Sequence, residues 1–150
     1  MPSIYHQPML FIRVGGRATC RPPLVAHLQT DATFNHRRPL DSTGACILKT
    51  ATYKATYRER FPLGRMANST EAEWAAVDAA ITFALEKDEL AVELENDNLS
   101  VISQLIRDSY PKQIYARYYH KKIRAQADQM EWLSVRWIPR ENNVADLLLR

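Results

Sequence analysis

Four acidic residues, each placed at the end or the start of a regular segment, could together hold metal ions: Asp31, Glu73, Asp97 and Asp146. Hydrolysis of a phosphodiester by two hard cations about 3.5 to 4 Å apart needs oxygen ligands from several directions, and carboxylates supply them. Asp31 ends an apolar run that predicts a central strand, and Asp97 ends a later strand. Because neighbouring parallel strands end at the same edge of a sheet, we expect both side chains to reach one ion.

The other two carboxylates belong to predicted helices. Glu73 lies near the start of its helix on the same face as Val77 and Ala80, so it should point towards the sheet. Asp146 lies beside Leu147 in the last predicted helix, where it could close the site from the opposite side. Four clustered carboxylates would repel one another, and metal binding would relieve that repulsion.

Each acidic residue also has an ordinary structural interpretation. Asp31 could start a turn, and Asp97 could cap the helix after it. Thr70 and Glu73 fit a capping box, and Asp146 could be an exposed helix residue. The joint order of the four favours a shared site.

The elements that must position these residues alternate along the chain. Strands are predicted at 24–33, 44–49, 51–60, 90–94 and 133–137. Helices are predicted at 71–87, 99–106, 111–127 and 142–150, the first preceded by the small polar residues Asn68, Ser69 and Thr70. Strands joined through helices pair in parallel and a hairpin pairs antiparallel, so we expect an α/β fold with a mixed sheet.

The first 23 residues differ from the rest. Residues 9–14 predict a short strand that ends at Gly15 and Gly16, and the Arg-Pro-Pro at 21–23 separates it from the next predicted strand. We therefore predict an N-terminal extension over 1–23, which could add a strand, and one domain over 24–150.

Composition narrows the class of protein. A chain of 150 residues is a common size for one domain, and its longest apolar runs are far too short to span a membrane. With no signal-like leader either, we expect a soluble, intracellular, cytoplasmic protein without a membrane partner. Cys20 and Cys46 form no zinc motif, and a net charge of +3 gives little reason by itself to expect a nucleic-acid partner.

Basic and aromatic residues concentrate between 110 and 124, where they could follow a phosphate backbone. Helical spacing places Tyr115, Tyr119 and Ile123 on an inward face. A second face carries Arg117, Lys121 and Arg124, which either contact a substrate or are simply solvated.

Four motifs in this order resemble the ribonuclease H family, especially the domains of retroelements, over residues 24–150. TDAT and GACIL resemble its first strand and hairpin, and NSTEAEWAAV its second motif, with Glu73 in the catalytic place. ENDN resembles its third motif around Asp97. IPRENNVADLLLR resembles its closing motif in gypsy-type elements, with Asn142 and Asp146 in the matching places.

The resemblance implies a mixed five-stranded sheet, with a three-stranded antiparallel part plus parallel strands, flanked by helices. It also implies an endonuclease that cuts the RNA strand of RNA/DNA hybrids with two Mg²⁺ ions, for which Mn²⁺ could substitute. Asp31 would bridge both ions, Asp146 would serve the ion that activates water, and Glu73 and Asp97 the ion at the leaving group. The expected substrate-binding residues are Asn68, Ser69, Thr70, Asn98, Asn142, Arg117 and Lys121, and a monomer is favoured.

The chain departs from the family pattern in three places. Bacterial cellular members often carry a histidine before the last helix, where this chain reads Arg136-Trp137-Ile138-Pro139-Arg140. The loop from Thr33 to Thr43 is long, and the last helix is short.

Two alternative functions remain open. Another nuclease of the same fold, such as an exonuclease, resolvase or integrase-like enzyme, would act on DNA. A non-catalytic nucleic-acid-binding module of a reverse-transcriptase-like assembly would keep the fold without the metal ions.

Overall fold

The apolar run that begins near Leu24 forms an interior strand of a mixed sheet in the computed structural model, which describes residues 10–37, 41–107 and 110–150. Residues 1–9 and 38–40, which belong to the predicted extension and long loop, lie outside the described residues. The strands are β1 (Ile12–Gly15), β2 (Ala26–Thr33), β3 (Ser42–Lys49), β4 (Thr56–Gly64), β5 (Ala91–Asn96) and β6 (Trp132–Trp137). The helices are α1 (Ser69–Glu86), α2 (Leu99–Ile106) and α3 (Ile114–Gln129), and 3₁₀ turns lie after β6 at Arg140–Asn142 and Val144–Leu149.

The order of strands in the sheet is β1-β6-β5-β2-β3-β4. β2, β3 and β4 form an antiparallel meander, whereas β2, β5 and β6 run parallel to one another. The predicted mixed sheet is therefore confirmed. In the described part of the chain it has six strands rather than five, because β1 pairs antiparallel with β6.

Gly16 explains how the chain leaves β1 so close to β6. Its φ angle is +131°, a conformation that L side chains rarely adopt. A Cβ atom at this position would lie 2.4 Å from the carbonyl oxygen of Glu131. Only glycine can therefore occupy position 16, where the chain passes against the backbone of Glu131.

Helix α1 covers β2 and β3 with an alanine-rich face around the fully buried Trp74. Its N-cap is Asn68, whose side chain accepts a hydrogen bond from the Glu71 N–H at 2.9 Å. The Glu71 carboxylate accepts from the Ala67 N–H at 2.7 Å. The cap is thus formed by Asn68 and Glu71 and not by Thr70 and Glu73, which leaves the Glu73 side chain available to the sheet.

Two predicted elements differ from the structure. The hairpin strand begins at Thr56, because residues 50–55 form a turn in which the Thr50 N–H donates to the Ala55 carbonyl at 3.1 Å. The last element is a 3₁₀ turn and not an α-helix. Its first amides donate to side chains, Val144 to Gln29 and Ala145 to Asn143, and six residues are too few for a stable α-helix by themselves.

Helix α3 packs against α1 through the predicted inward face, where Ile123 is fully buried and Tyr115 and Tyr119 are partly buried. Arg124 is not a solvated residue. Its guanidinium donates to the carbonyls of Leu105, Ile106 and Arg107 at 2.8 to 3.0 Å, which caps the end of α2. Among the described residues, no helix is long and apolar enough to cross a membrane.

Candidate active site

Three of the four acidic residues meet at one edge of the sheet. Asp31 lies near the end of β2, Asp97 comes directly after β5, and Glu73 faces them from the start of α1. Carboxylate oxygens of the three residues lie within 4.8 Å of one another. The register of the sheet explains why: β2 and β5 run parallel and Gln29 pairs with Glu95, so Asp31 and Asp97 each lie two residues beyond this pair.

The fourth acidic residue, Asp146, lines the same cleft, which has a volume of about 420 Å³. Its carboxylate pairs with the Arg150 guanidinium at 2.7 Å. Its negative charge also acts on Asp31. Asp146 therefore belongs to the site but already has a cationic partner.

Glu73 is held by donors on both of its oxygens. The Ala32 N–H donates to Glu73 Oε1 at 2.9 Å, and Asn96 Nδ2 donates to Glu73 Oε2 at 3.1 Å. The Ala32 N–H also lies 2.9 Å from Asp31 Oδ1, so one amide bridges the two carboxylates. Their oxygens are thereby kept on the same side of the cleft.

Asp97 is held by residues from the loop after β6. Its side chain is hydrogen-bonded to Asn143 and lies near the positive charge of Arg140. Its backbone carbonyl accepts from Trp137 Nε1 at 3.0 Å. The Asp97 carboxylate is therefore positioned by a segment that comes 40 residues and more after it.

Burial and mutual repulsion disfavour negative charge in this cluster. Burial, together with the charges of Asp97 and Asp146, raises the pKa of Asp31 to about 6. Burial and the Asp31 charge raise the pKa of Glu73 well above its usual value, and burial raises that of Asp97. The hydrogen bond from Arg150 lowers the pKa of Asp146.

The donor set fits a hard divalent cation. It consists of carboxylate oxygens, which Mg²⁺ and Mn²⁺ prefer. Burial and neighbouring negative charge raise the pKa values of Asp31 and Glu73, and a bound cation would favour their charged forms.

A family model described as reverse transcriptase-like matches residues 29–149, which contain all four acidic residues. This chain belongs to that family and is a ribonuclease H domain. No curated protein sequence matches it.

Solved ribonuclease H structures share the fold of this domain. Ribonuclease H1 of the archaeon Halobacterium salinarum superimposes with a TM-score of 0.72 at 22% identity, covering 82% of this chain and 92% of that one. The N-terminal ribonuclease H domain of a Mycobacterium tuberculosis protein gives 0.68 at 18%, covering 83% and 90%. LC11 ribonuclease H1, isolated from compost by a metagenomic approach, gives 0.67 at 19%, covering 82% and 92%, and that structure is a complex with an RNA/DNA hybrid.

The residues predicted to bind substrate fall into three groups in this ribonuclease H domain. Ser69 and Asn98 line the cleft, and Asn98 also caps α2 by accepting from the Val101 N–H at 3.0 Å. Asn68 caps α1, and Thr70 lies one residue beyond Ser69. The structure does not bring the others to the cleft lining: Asn142, Arg117 and Lys121 are exposed outside it.

Three further residues lie at the acidic cluster that the sequence patterns do not single out: Asn96, Asn143 and Arg140. Asn96 adjoins Asp97 in the ENDN string, so its proximity to the site could have been predicted, but not its contact with Glu73. The sequence motif favours Asn142 over its neighbour Asn143. The two neighbours could not be told apart without knowing how the 3₁₀ turns orient them.

Proposed function

We propose that this ribonuclease H domain is a metal-dependent endonuclease that hydrolyses the RNA strand of RNA/DNA hybrids, with residues 24–150 as its catalytic unit. The observation that carries this proposal is the convergence of Asp31, Glu73 and Asp97, whose oxygens lie within 4.8 Å of one another in an open cleft. The hybrid bound to LC11 ribonuclease H1, which shares the fold, supports the choice of substrate.

Asp31, Glu73, Asp97 and Asp146 would hold two Mg²⁺ ions, or Mn²⁺ in their place. Such ions, when bound, lower the pKa of water and stabilise the charge that develops on the leaving oxygen. The protein contributes fixed ligands, since Glu73 is held by Ala32 and Asn96 and needs no rearrangement to present its carboxylate. Asp31 shares the Ala32 N–H with Glu73 and is also affected by the charge of Asp146, which suits a residue shared by two ions.

The cleft also offers groups for the nucleic-acid backbone. Ser69 and Asn98 lie in its lining together with the carboxylates and would contact sugar or phosphate oxygens. Selection of RNA would come from its 2′-hydroxyl groups and from groove shape, and not from base edges. The exposed Arg117 and Lys121 on α3 would contact phosphates further along the hybrid.

Cleavage of a labelled RNA/DNA hybrid in the presence of Mg²⁺ or Mn²⁺ tests the proposal. Asp31→Asn and Asp97→Asn should each reduce cleavage by at least about 100-fold, because each removes a charged metal ligand. The matched control is Asp88→Asn, an exposed residue with a φ angle of 60° that asparagine also accommodates, and it should cleave normally.

The same assay separates the alternative functions. Single-stranded, duplex and branched DNA are offered beside the hybrid, and cut positions are mapped on both strands. Preference for any DNA substrate would replace hybrid cleavage with a DNA nuclease. Undiminished hybrid cleavage by both asparagine variants would refute the assignment of the site.

A further inference from the structure

The residue before Asp97 contacts every element that carries one of the three clustered carboxylates. Asn96 is the last residue of β5 and is fully buried. Its Nδ2 donates to the Thr30 carbonyl at 3.1 Å and lies 2.9 Å from Thr30 Oγ1. The same nitrogen donates to Glu73 Oε2 at 3.1 Å, and Oδ1 accepts from the Asn98 N–H at 2.7 Å.

These contacts admit only one orientation of the amide. The Asn98 N–H can only donate, so the atom facing it must be the Asn96 oxygen. The Thr30 carbonyl can only accept, so the atom facing it must be the nitrogen. An aspartate or a leucine, although similar in shape, could not make both sets of contacts.

Asn96 and the Ala32 N–H together determine how the Glu73 carboxylate is turned. Each donor engages a different oxygen of the group, at 3.1 and 2.9 Å. Two donors on two oxygens fix both the position and the plane of a carboxylate. With only one donor, Glu73 could rotate about its last side-chain bond.

The position of Asn96 also explains why its contacts matter for the whole cluster. Thr30 precedes Asp31 in β2, and Asn98 comes after Asp97 and begins α2. The backbone carbonyl of Asn96 accepts from the Ile138 N–H at 3.1 Å, and Ile138 begins the segment that leads to Asp146. Asn96 is thus hydrogen-bonded to β2, to Glu73 in α1, to the N-cap of α2 and to the start of the segment that carries Asp146.

We propose that Asn96 is a positioning residue that orients Glu73 for binding a divalent cation. This inference deepens the proposed function and rests on it for the nature of the cation. Asn96 would not itself contact the cation or the substrate. Groups that orient metal ligands typically change metal affinity by about 10- to 100-fold when they are removed.

Asn96→Ser tests this role in the full chain. The serine hydroxyl is one bond shorter than the asparagine amide, so it retains a polar group near Thr30 but does not reach Glu73. Mn²⁺ affinity measured by calorimetry should fall about tenfold or more, and kcat for hybrid cleavage should fall while KM for the hybrid stays unchanged. If the serine variant does not fold, Asn96→Thr makes the same test with a methyl group that fills more of the space.

Gln126→Ser is the matched control. Gln126 donates from Nε2 to Thr82 Oγ1 at 3.0 Å and so joins α3 to α1 through an amide that touches no acidic residue of the site. Its truncation should lower stability but leave Mn²⁺ affinity and kcat unchanged. This comparison separates a loss of positioning from a general loss of packing.

The outcomes distinguish this inference from the proposed function. Mn²⁺ affinity equal to that of the unsubstituted protein in the folded Asn96 variants overturns the positioning role, and so does an unsubstituted protein that binds no Mn²⁺. An unsubstituted protein that binds Mn²⁺ but cleaves no hybrid overturns the proposed function only. The calorimetric comparison then still decides the role of Asn96.

Discussion

Asn143 donates from Nδ2 to the Thr30 carbonyl at 2.8 Å and so attaches the last segment of the chain to the strand that carries Asp31. The same side chain is hydrogen-bonded to Asp97 and accepts from the Ala145 N–H at 3.2 Å. It is buried, with 3% exposure. The Asn143 side chain therefore determines where the 3₁₀ turn that carries Asp146 begins relative to the other carboxylates.

Asn143→Ala should lower the free energy of unfolding by about 1 to 3 kcal/mol, because it leaves buried hydrogen-bonding groups without partners. Asn142→Ala should change it by less than about 0.5 kcal/mol, since Asn142 is exposed and its backbone carbonyl, which accepts from Gln29, is retained. Urea unfolding of both variants makes the comparison. Equal effects of the two substitutions would contradict the position assigned to Asn143.

The metal-free protein should lose stability as pH rises through about 6, owing to Asp31. Its pKa is raised from 3.8 to about 6 in the folded state, so its contribution is fully present below pH 3.8 and is lost as the pH rises past the folded value. Because the cleft is open to solvent, we expect a loss of about 1 to 2 kcal/mol rather than the full value of the shift.

Denaturant unfolding in EDTA across this pH range, compared with Asp31→Asn, isolates that contribution. The stability of the unsubstituted protein should fall with pH relative to the variant. Excess Mg²⁺ should reverse the fall, because a bound cation stabilises the folded state by about 2.7 kcal/mol at 100 times its Kd. A constant difference between the two proteins, with or without Mg²⁺, would contradict the prediction.

Arg150→Gln should tighten binding of the first Mg²⁺. Arg150 pairs with Asp146 at 2.7 Å, and its positive charge opposes the arrival of a cation at the same carboxylate. Since the Arg150 side chain is 70% exposed, solvent weakens the effect, and we expect a change of no more than about fivefold. Calorimetric titration at low ionic strength measures it, and weaker binding in the variant would show that Asp146 does not face the cation.

Asn68→Ala should lower the free energy of unfolding by about 1 kcal/mol, because it removes the N-cap of α1. Thr70→Ala should have a smaller effect, since Thr70 lies within the first turn of the helix. The loss of stability measured by thermal unfolding of the two variants shows whether Asn68 or Thr70 caps the helix. A larger loss for Thr70→Ala would favour the capping box of Thr70 and Glu73.

Sequence patterns were sufficient for the parts of the site that depend on regular structure. The meeting of Asp31 and Asp97 can be predicted because parallel strands end at one edge of a sheet. That of Glu73 can be predicted because helical periodicity directs its side chain towards the sheet. Both predictions need only the regular geometry of strands and helices. The mixed sheet could be predicted from the order of the elements for the same reason.

Features that depend on irregular segments could not be predicted in this way. The choice between Asn142 and Asn143 depends on two short 3₁₀ turns, in which neighbouring side chains point in directions that no simple repeat gives. Arg124 has the spacing of a solvated residue, but the end of α2 lies within its reach. The contact of Asn96 with Glu73 joins residues that are 23 positions apart through folded geometry alone.

The short strand β1 has a consequence for how the domain meets other molecules. It pairs with Leu133, Ser134 and Val135 of β6, so among the described residues this stretch of β6 is paired on both sides and is closed to strand addition. On this side the edge strand of the described sheet is β1, which is four residues long and whose pairing register shifts between Arg13 and Gly15. The opposite edge, β4, carries Pro62 and the charged Arg58 and Arg60, so both borders of the sheet discourage edge-to-edge aggregation.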